Sequence, residues 1–140
     1  MPDSERVFEV VEGEGYAVGN IDSMGDGYGF RKVRRALGVS AFGINALVLP
    51  PSYAAPAHYH ERQEETYFVH RGEVEMEFGD GTRHLLGPGG VARVDASTVR
   101  CVRNVGPEDA VLLIAGGAGG YVGRDGQAAG RERDRRGHAL

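Results

Sequence analysis

His58 and His60, followed within a few residues by Glu64 and Glu65, are the side chains of this sequence whose types and spacing could do chemistry together. On an extended strand alternate side chains share one side, which puts the two imidazoles on the same face with Cα atoms roughly 6.6 Å apart. One divalent ion can bridge that span. A carboxylate from either Glu64 or Glu65, brought round by the short polar segment after His60, would complete a set of two nitrogen ligands and one oxygen ligand. Such a set leaves positions open for substrate, water or dioxygen, as in non-haem iron sites, and the same ligands accept manganese, nickel, copper or zinc. On a solvated strand these residues would simply face water, so the spacing alone does not separate a metal site from a wet surface.

The elements that must position these residues read as strand after strand. Phe42 to Leu49 is a mostly apolar run ended by Pro50-Pro51, which has no N–H to continue a ladder. Glu73 to Phe78 alternates polar and apolar, predicting one wet face and one core face, and Gly79-Asp80-Gly81 supplies a hairpin turn. Further strands are expected at Arg83–Leu86, Val91–Val94, Val99–Asn104 and Val111–Ala115, each flanked by Gly, Pro, Asn or Asp. Short strands at regular spacing between turn residues predict an all-β, single-domain antiparallel sandwich or barrel. The first forty residues, crowded with glycine from Gly13 to Gly29, are expected to form turns and a short edge strand near Tyr28 to Arg35. They do not form a phosphate loop, because no strand–turn–helix unit and no Gly-Lys-Ser/Thr surrounds them.

The segment from His58 to Gly72 resembles the first motif of the cupin family: His-x-His, three or four residues, Glu, six residues, Gly. Thr66 to Arg71 supply the six residues between Glu65 and Gly72, so the resemblance selects Glu65 as the carboxylate ligand and leaves Glu64 as its neighbour on the solvent side. Where the family has a Gly six residues before the first His, this chain has Ser52. The second cupin motif is recognisable from Gly87-Pro88-Gly89-Gly90 to Asn104, but Arg100 stands where the family usually supplies its last metal-binding His. The resemblance covers about residues 40 to 116. It implies a jelly roll with a barrel core over residues 41–122 and N-terminal strands and turns over 1–40 that pack on the barrel or on a dimer partner, while the charge- and glycine-rich residues 123–140 are expected to be a flexible tail with at most a short helix.

Arginine stays protonated and cannot ligate a cation. At about 5 Å from a divalent ion it would be repelled by roughly 6 kcal/mol at an effective dielectric near 20, before nearby carboxylates offset part of this. Three arrangements follow. Arg100 turns to bind a substrate carboxylate or phosphate while the metal sits on His58, His60 and Glu65; Arg100 replaces the metal and pairs with Glu65; or Arg100 faces solvent. Asn45, polar among apolar neighbours, needs partners if buried and is expected to face the pocket or a dimer contact. Tyr67 shares a strand face with Glu65 and joins Arg100 and Asn45 as a substrate-binding residue. His70, on the opposite face, His84 near the hairpin turn and His138 in the tail are read as structural or solvated.

With 140 residues, 41% of them hydrophobic, the chain has enough for one core. The net charge is −4 and Lys32 is the only lysine, with the arginines scattered among acids, so no basic stripe for nucleic acid emerges. Cys101 stands alone, which excludes an internal disulfide and a cysteine zinc site and reads as a small buried hydrophobe. The segment Met1 to Val11 lacks the apolar stretch of a secretory signal, and no apolar run reaches the length of a membrane span. A cytoplasmic protein with a small-molecule ligand, without nucleic-acid or membrane partners, is expected, and the resemblance adds a homodimer. Three functions fit: a metal-dependent oxygenase or isomerase acting on a small anion, a non-catalytic and even metal-free ligand-binding module, and a metal-free isomerase with His60 as base and Tyr67 as acid. The catalytic residues and the choice of metal are not set by the sequence.

Overall fold

In the computed structural model, residues 6–129 are described. Residues 11–37 form a small hairpin of β1 (Val11–Gly13) and β2 (Tyr16–Val18), the edge strand β3 (Gly29–Arg31) and a short helix α1 (Val33–Leu37). Then come β4 (Gly43–Leu49), β5 (His58–His60), β6 (Glu64–Arg71), β7 (Val74–Phe78), β8 (Arg83–Leu86), β9 (Val91–Val94), β10 (Arg100–Asn104), β11 (Ala110–Gly117) and β12 (Gly126–Ala128). Two five-stranded antiparallel sheets result, one ordered β12-β5-β10-β7-β8 and the other β3-β4-β11-β6-β9. Their inner faces enclose the core, built on Leu47, Leu49, Tyr67, Val69, Val74, Met76, Val94, Val102, Leu112 and Ile114. This is the expected all-β jelly roll.

Alternation sets which residues face that core. Asn45, Leu47 and Leu49 lie on one side of β4 and pair across β11 with Ile114, Leu112 and Ala110, and these in turn lie next to Tyr67 and Val69 of β6. Apolar pairs fill the middle of the barrel, while Glu65 and its partner Gly116 lie one row beyond, at the open end. Along β7 the expected wet face is only partly wet: Glu77 is 2% exposed, with Arg83 of β8 at 3.6 Å.

Two backbone positions explain parts of the family pattern. Gly72 has φ +81°, and a Cβ there would lie 2.8 Å from Ala110 Cα, so both conformation and space require glycine at the β6–β7 turn. Ser52 has φ 68°, so the residue standing in for the family's glycine adopts the left-handed conformation that glycine takes without strain.

Two expectations change. The predicted edge strand over 28–35 shortens to Gly29–Arg31, paired with β4 of the same chain, because Val33 to Leu37 closes a helical turn capped by Gly38 at φ 75°. Within the predicted tail from residue 123, Gly126 to Ala128 instead add a strand to β5, since their backbone completes an otherwise open edge. His138 and the rest of the tail lie outside the described residues. Gly72→Ala is expected to lower the unfolding free energy by more than about 2 kcal/mol in a urea titration, through combined overpacking and backbone strain.

Candidate metal centre

The site forms where the ends of both sheets meet. From one sheet, β5 contributes His58 and His60, with ring centroids 5.1 Å apart and planes at 83°. From the other, β6 contributes Glu65 and Tyr67. Gly116, opposite Glu65 on β11, leaves the room: a Cβ there would lie 2.4 Å from Gln63 Oε1 and 3.2 Å from Glu65 Cγ. The group faces a cavity of about 430 Å³ whose walls include Phe30, Asn45, Leu47, Ile114 and Val122.

One ligand atom from each of His58, His60 and Glu65 lies within 4.8 Å of the others. Ligands on one face of an ion at bond lengths of about 2.1 Å stand roughly 3.0–3.4 Å apart, so closing on an ion needs side-chain shifts of up to about an ångström. Both imidazoles are oriented for it. His60 Nδ1 lies 2.7 Å from Asp125 Oδ1, and His58 Nδ1 lies 3.3 Å from the Pro56 carbonyl, so each ring can donate from Nδ1 and leave its Nε2 lone pair toward the site. His60 Nε2 is buried and has no hydrogen-bond partner among the described residues. Glu65 Oε1 stands 3.2 Å from it, but not in line for a hydrogen bond. Two facing lone pairs at that distance call for a proton or a metal ion near them. The donor set therefore fits a divalent ion.

Arg100 sits behind this group and is fully buried. Its Nη2 donates to Glu65 Oε1 at 2.9 Å, its Nε to the Tyr67 hydroxyl at 3.3 Å, and its Nη1 to the carbonyls of Thr98 at 2.7 Å, Ala96 at 3.1 Å and Asp95 at 3.4 Å. The contact with Glu65 is that of the second arrangement, while the His58, His60 and Glu65 group of the first is present beside it. The guanidinium is held behind Glu65 and Tyr67 and does not itself line the cavity.

Asp125 was missed by the sequence reading. It lies just before β12, far from the motif in sequence, and accepts from the backbone N–H of Arg62 at 2.8 Å and of Gln63 at 3.0 Å, and from Gln63 Nε2 at 2.6 Å, besides meeting His60. Asp125, His60, Glu65 and Arg100 thus form a line of carboxylate, imidazole, carboxylate and guanidinium. With His60 neutral, the two carboxylates outweigh the one guanidinium, so the line retains one negative charge to favour a cation.

Burial would raise the Glu65 pKa, but the contacts with His60, Tyr67 and Arg100 hold it at about 2. Burial would also raise that of Asp125, but hydrogen bonds from Gln63, Arg62 and His60 hold it well below the usual carboxylate range. For His60 burial works toward the neutral form, and the carboxylates of Glu65 and Asp125 overcome it, raising the pKa. His58 is lowered by burial and then by the charge of Arg100, which keeps it neutral and able to ligate. Burial and the charge of Glu65 push the Tyr67 hydroxyl far up; it donates to Glu65 Oε1 at 2.9 Å.

The remaining sequence-marked residues separate. Asn45 and Tyr67 line the cavity. Glu64 is exposed and pairs with Arg93 at 3.4 Å. His70 and His84 are exposed and absent from the cavity lining. Cys101 is buried, with Sγ 3.1 Å from the Ala55 carbonyl.

A closed antiparallel barrel with two imidazoles and a carboxylate at one mouth defines a class, and the sequence comparison gives the family. The cupin domain family matches residues 46–116, and the chain belongs to it. Similar solved structures include a sugar phosphate isomerase of the cupin superfamily from Silicibacter pomeroyi, 24% identical over 79% of this chain and 68% of that one, with a TM-score of 0.58. A double-stranded β-helix protein from Klebsiella pneumoniae is 24% identical over 63% of this chain and 74% of that one, at 0.56. The cupin domain of Schizosaccharomyces pombe Cnp3 is 17% identical, at 0.53, and the match spans 56% of each chain, little more than half of that protein's length. These likenesses concern the fold. No curated protein matches the sequence. Among the described residues no helix is long and apolar enough to cross a membrane.

The depressed Glu65 pKa has a stability consequence. Its folded value of about 2 lies below the ordinary 4.5, so its contribution is fully present above pH 4.5 and is lost as pH falls toward 2. Wild type is expected to lose on the order of 3 kcal/mol over that window from this group, and Glu65→Gln to show a flatter acid limb in pH-dependent denaturation. Arg100→Met is expected to cost about 3 kcal/mol at neutral pH by leaving Glu65 without its counter-charge.

Proposed function

We propose that this chain binds a small anionic molecule in the barrel-mouth cavity, next to a divalent metal ion held by His58, His60 and Glu65, and acts on it as an isomerase- or oxygenase-type enzyme. The observation that carries the reading is the buried, unpartnered His60 Nε2 within 4.8 Å of a His58 nitrogen and a Glu65 oxygen. A bound ion would supply Lewis acidity to a coordinated oxygen and leave the choice of reaction to the cavity.

The chain's own residues set the rest. Asp125 fixes the His60 tautomer and ring plane through Nδ1. Arg100 and Tyr67 both donate to Glu65 Oε1, which holds the carboxylate ionised and its plane set. Asn45 offers an amide in the cavity wall to orient a polar group. The sugar phosphate isomerase among the fold neighbours acts on a small anionic substrate of the kind this reading assigns. The reading includes cytoplasmic location and a homodimer, the latter supported by Phe68 and Val91, exposed neighbours across β6 and β9 on the outer sheet face.

A second reading, a metal-free ligand-binding module, is favoured by the 2.9 Å contact between Arg100 and Glu65, where a guanidinium already neutralises the carboxylate. Elemental analysis of protein purified without an affinity tag separates the two. About one equivalent of a transition metal is expected in wild type, falling to background in His60→Ala with its circular dichroism unchanged. Metal-free wild type that still binds small anions would select the second reading.

A further inference from the structure

The cavity mouth carries four cationic side chains that the metal chemistry does not use. Lys32, Arg34 and Arg35, on α1 and the residue before it, and Arg124, in the segment leading to β12, all line the same cavity as His58 and His60. None of the four is ion-paired with a carboxylate among the described residues. Arg34 lies with its guanidinium carbon 4.0 Å from the Tyr121 ring centroid, which orients it without cancelling its charge. Lys32, Arg35 and Arg124 are exposed.

The carboxylates lining the cavity cannot balance them. Among the described residues only Glu65 and Asp125 line it, and both are engaged: Glu65 by Arg100, Tyr67 and His60, Asp125 by His60, Gln63 and the Arg62 amide. In a chain of net charge −4, the mouth of this cavity is therefore positive. Cations gathered at a partly enclosed apolar-walled cleft repel one another and focus a field that favours an anion of more than one charge. The apolar part of the lining, including Phe30, Ile44, Leu47 and Ile114, suits a compact carbon frame.

We propose that this basic mouth is a phosphate subsite: the substrate is a small phosphate monoester whose phosphate sits among Lys32, Arg34, Arg35 and Arg124 while its other end reaches His58, His60 and Glu65. A phosphate dianion offers three terminal oxygens, enough to accept from several cationic donors at once, and guanidinium forks match that geometry. A single carboxylate would leave most of these donors unused. The subsite deepens the reading of the cavity as a small-anion site. It also moves substrate recognition from Arg100, which is fully buried and occupied, to side chains the solvent reaches.

Because Lys32 is the only lysine, amine acylation followed by peptide mass spectrometry reports on one side chain of the mouth. Glycerol 3-phosphate is expected to slow Lys32 acylation several-fold, while glycerol leaves it unchanged. In calorimetric titrations glycerol 3-phosphate should bind more tightly than glycerate. The double variant Arg35→Gln, Arg124→Gln, altering exposed side chains, should bind it about tenfold or more weakly. Unprotected Lys32, equal or tighter binding of glycerate, or unchanged affinity in the double variant would each overturn the subsite. His60→Ala, run in parallel with metal analysis, keeps the two readings apart: loss of metal with Lys32 protection retained supports the phosphate subsite independently, whereas metal-loaded wild type without protection overturns the subsite and leaves the metal reading standing.

Discussion

A guanidinium with no exposure to water must be neutralised where it lies, and in this protein Arg100 is such a group. Removing that charge from solvent costs several kcal/mol unless a counter-charge and hydrogen bonds replace the lost hydration. Three backbone carbonyls, the Tyr67 hydroxyl and the Glu65 carboxylate do so. Arg100 belongs to β10 of one sheet and Glu65 to β6 of the other, so this contact also ties the sheets together at the end where the cavity opens. The position of Glu65, and hence the geometry offered to a metal ion, depends on it.

From that pairing the order of charges extends outward. Glu65, fixed by Arg100 and Tyr67, faces His60; His60 is turned by Asp125; Asp125 is anchored by the Arg62 and Gln63 amides. Each member is oriented by the next, so the imidazole closest to the carboxylates presents a nitrogen already stripped of water. Asp125 also offsets the guanidinium, which makes a cation beside an arginine electrostatically acceptable. The same cavity is lined by apolar side chains and by four cations that have no carboxylate partner among the described residues, so a buried ionic group, an apolar wall and basic side chains share one space.

Much of the scaffold was legible because its signals are local. The Phe42 to Leu49 run with its terminal Pro50-Pro51, the alternation from Glu73 to Phe78 and the Gly79 to Gly81 turn each encode their own backbone shape. Helix α1 and β12 were not legible. The first is only five residues long, and the second is held by the open edge of β5 more than by any periodicity of Gly126 to Ala128. Glu77, read as solvent-facing, shows the same limit: alternation assigns a face, and the neighbouring strand decides whether that face is wet.

The sequence by itself determined that His58 and His60 share one side of a strand and that Glu65 and Tyr67 share one side of the next. Period-two strand geometry suffices for these. The tertiary structure alone decided that Arg100 turns inward to Glu65, that Asp125 returns across more than sixty residues to hold His60, and that Lys32, Arg34, Arg35 and Arg124 converge on one mouth. Those relations depend on which strand lies beside which and in what register. Burial and charge neutralisation settle that only when both sheets have closed.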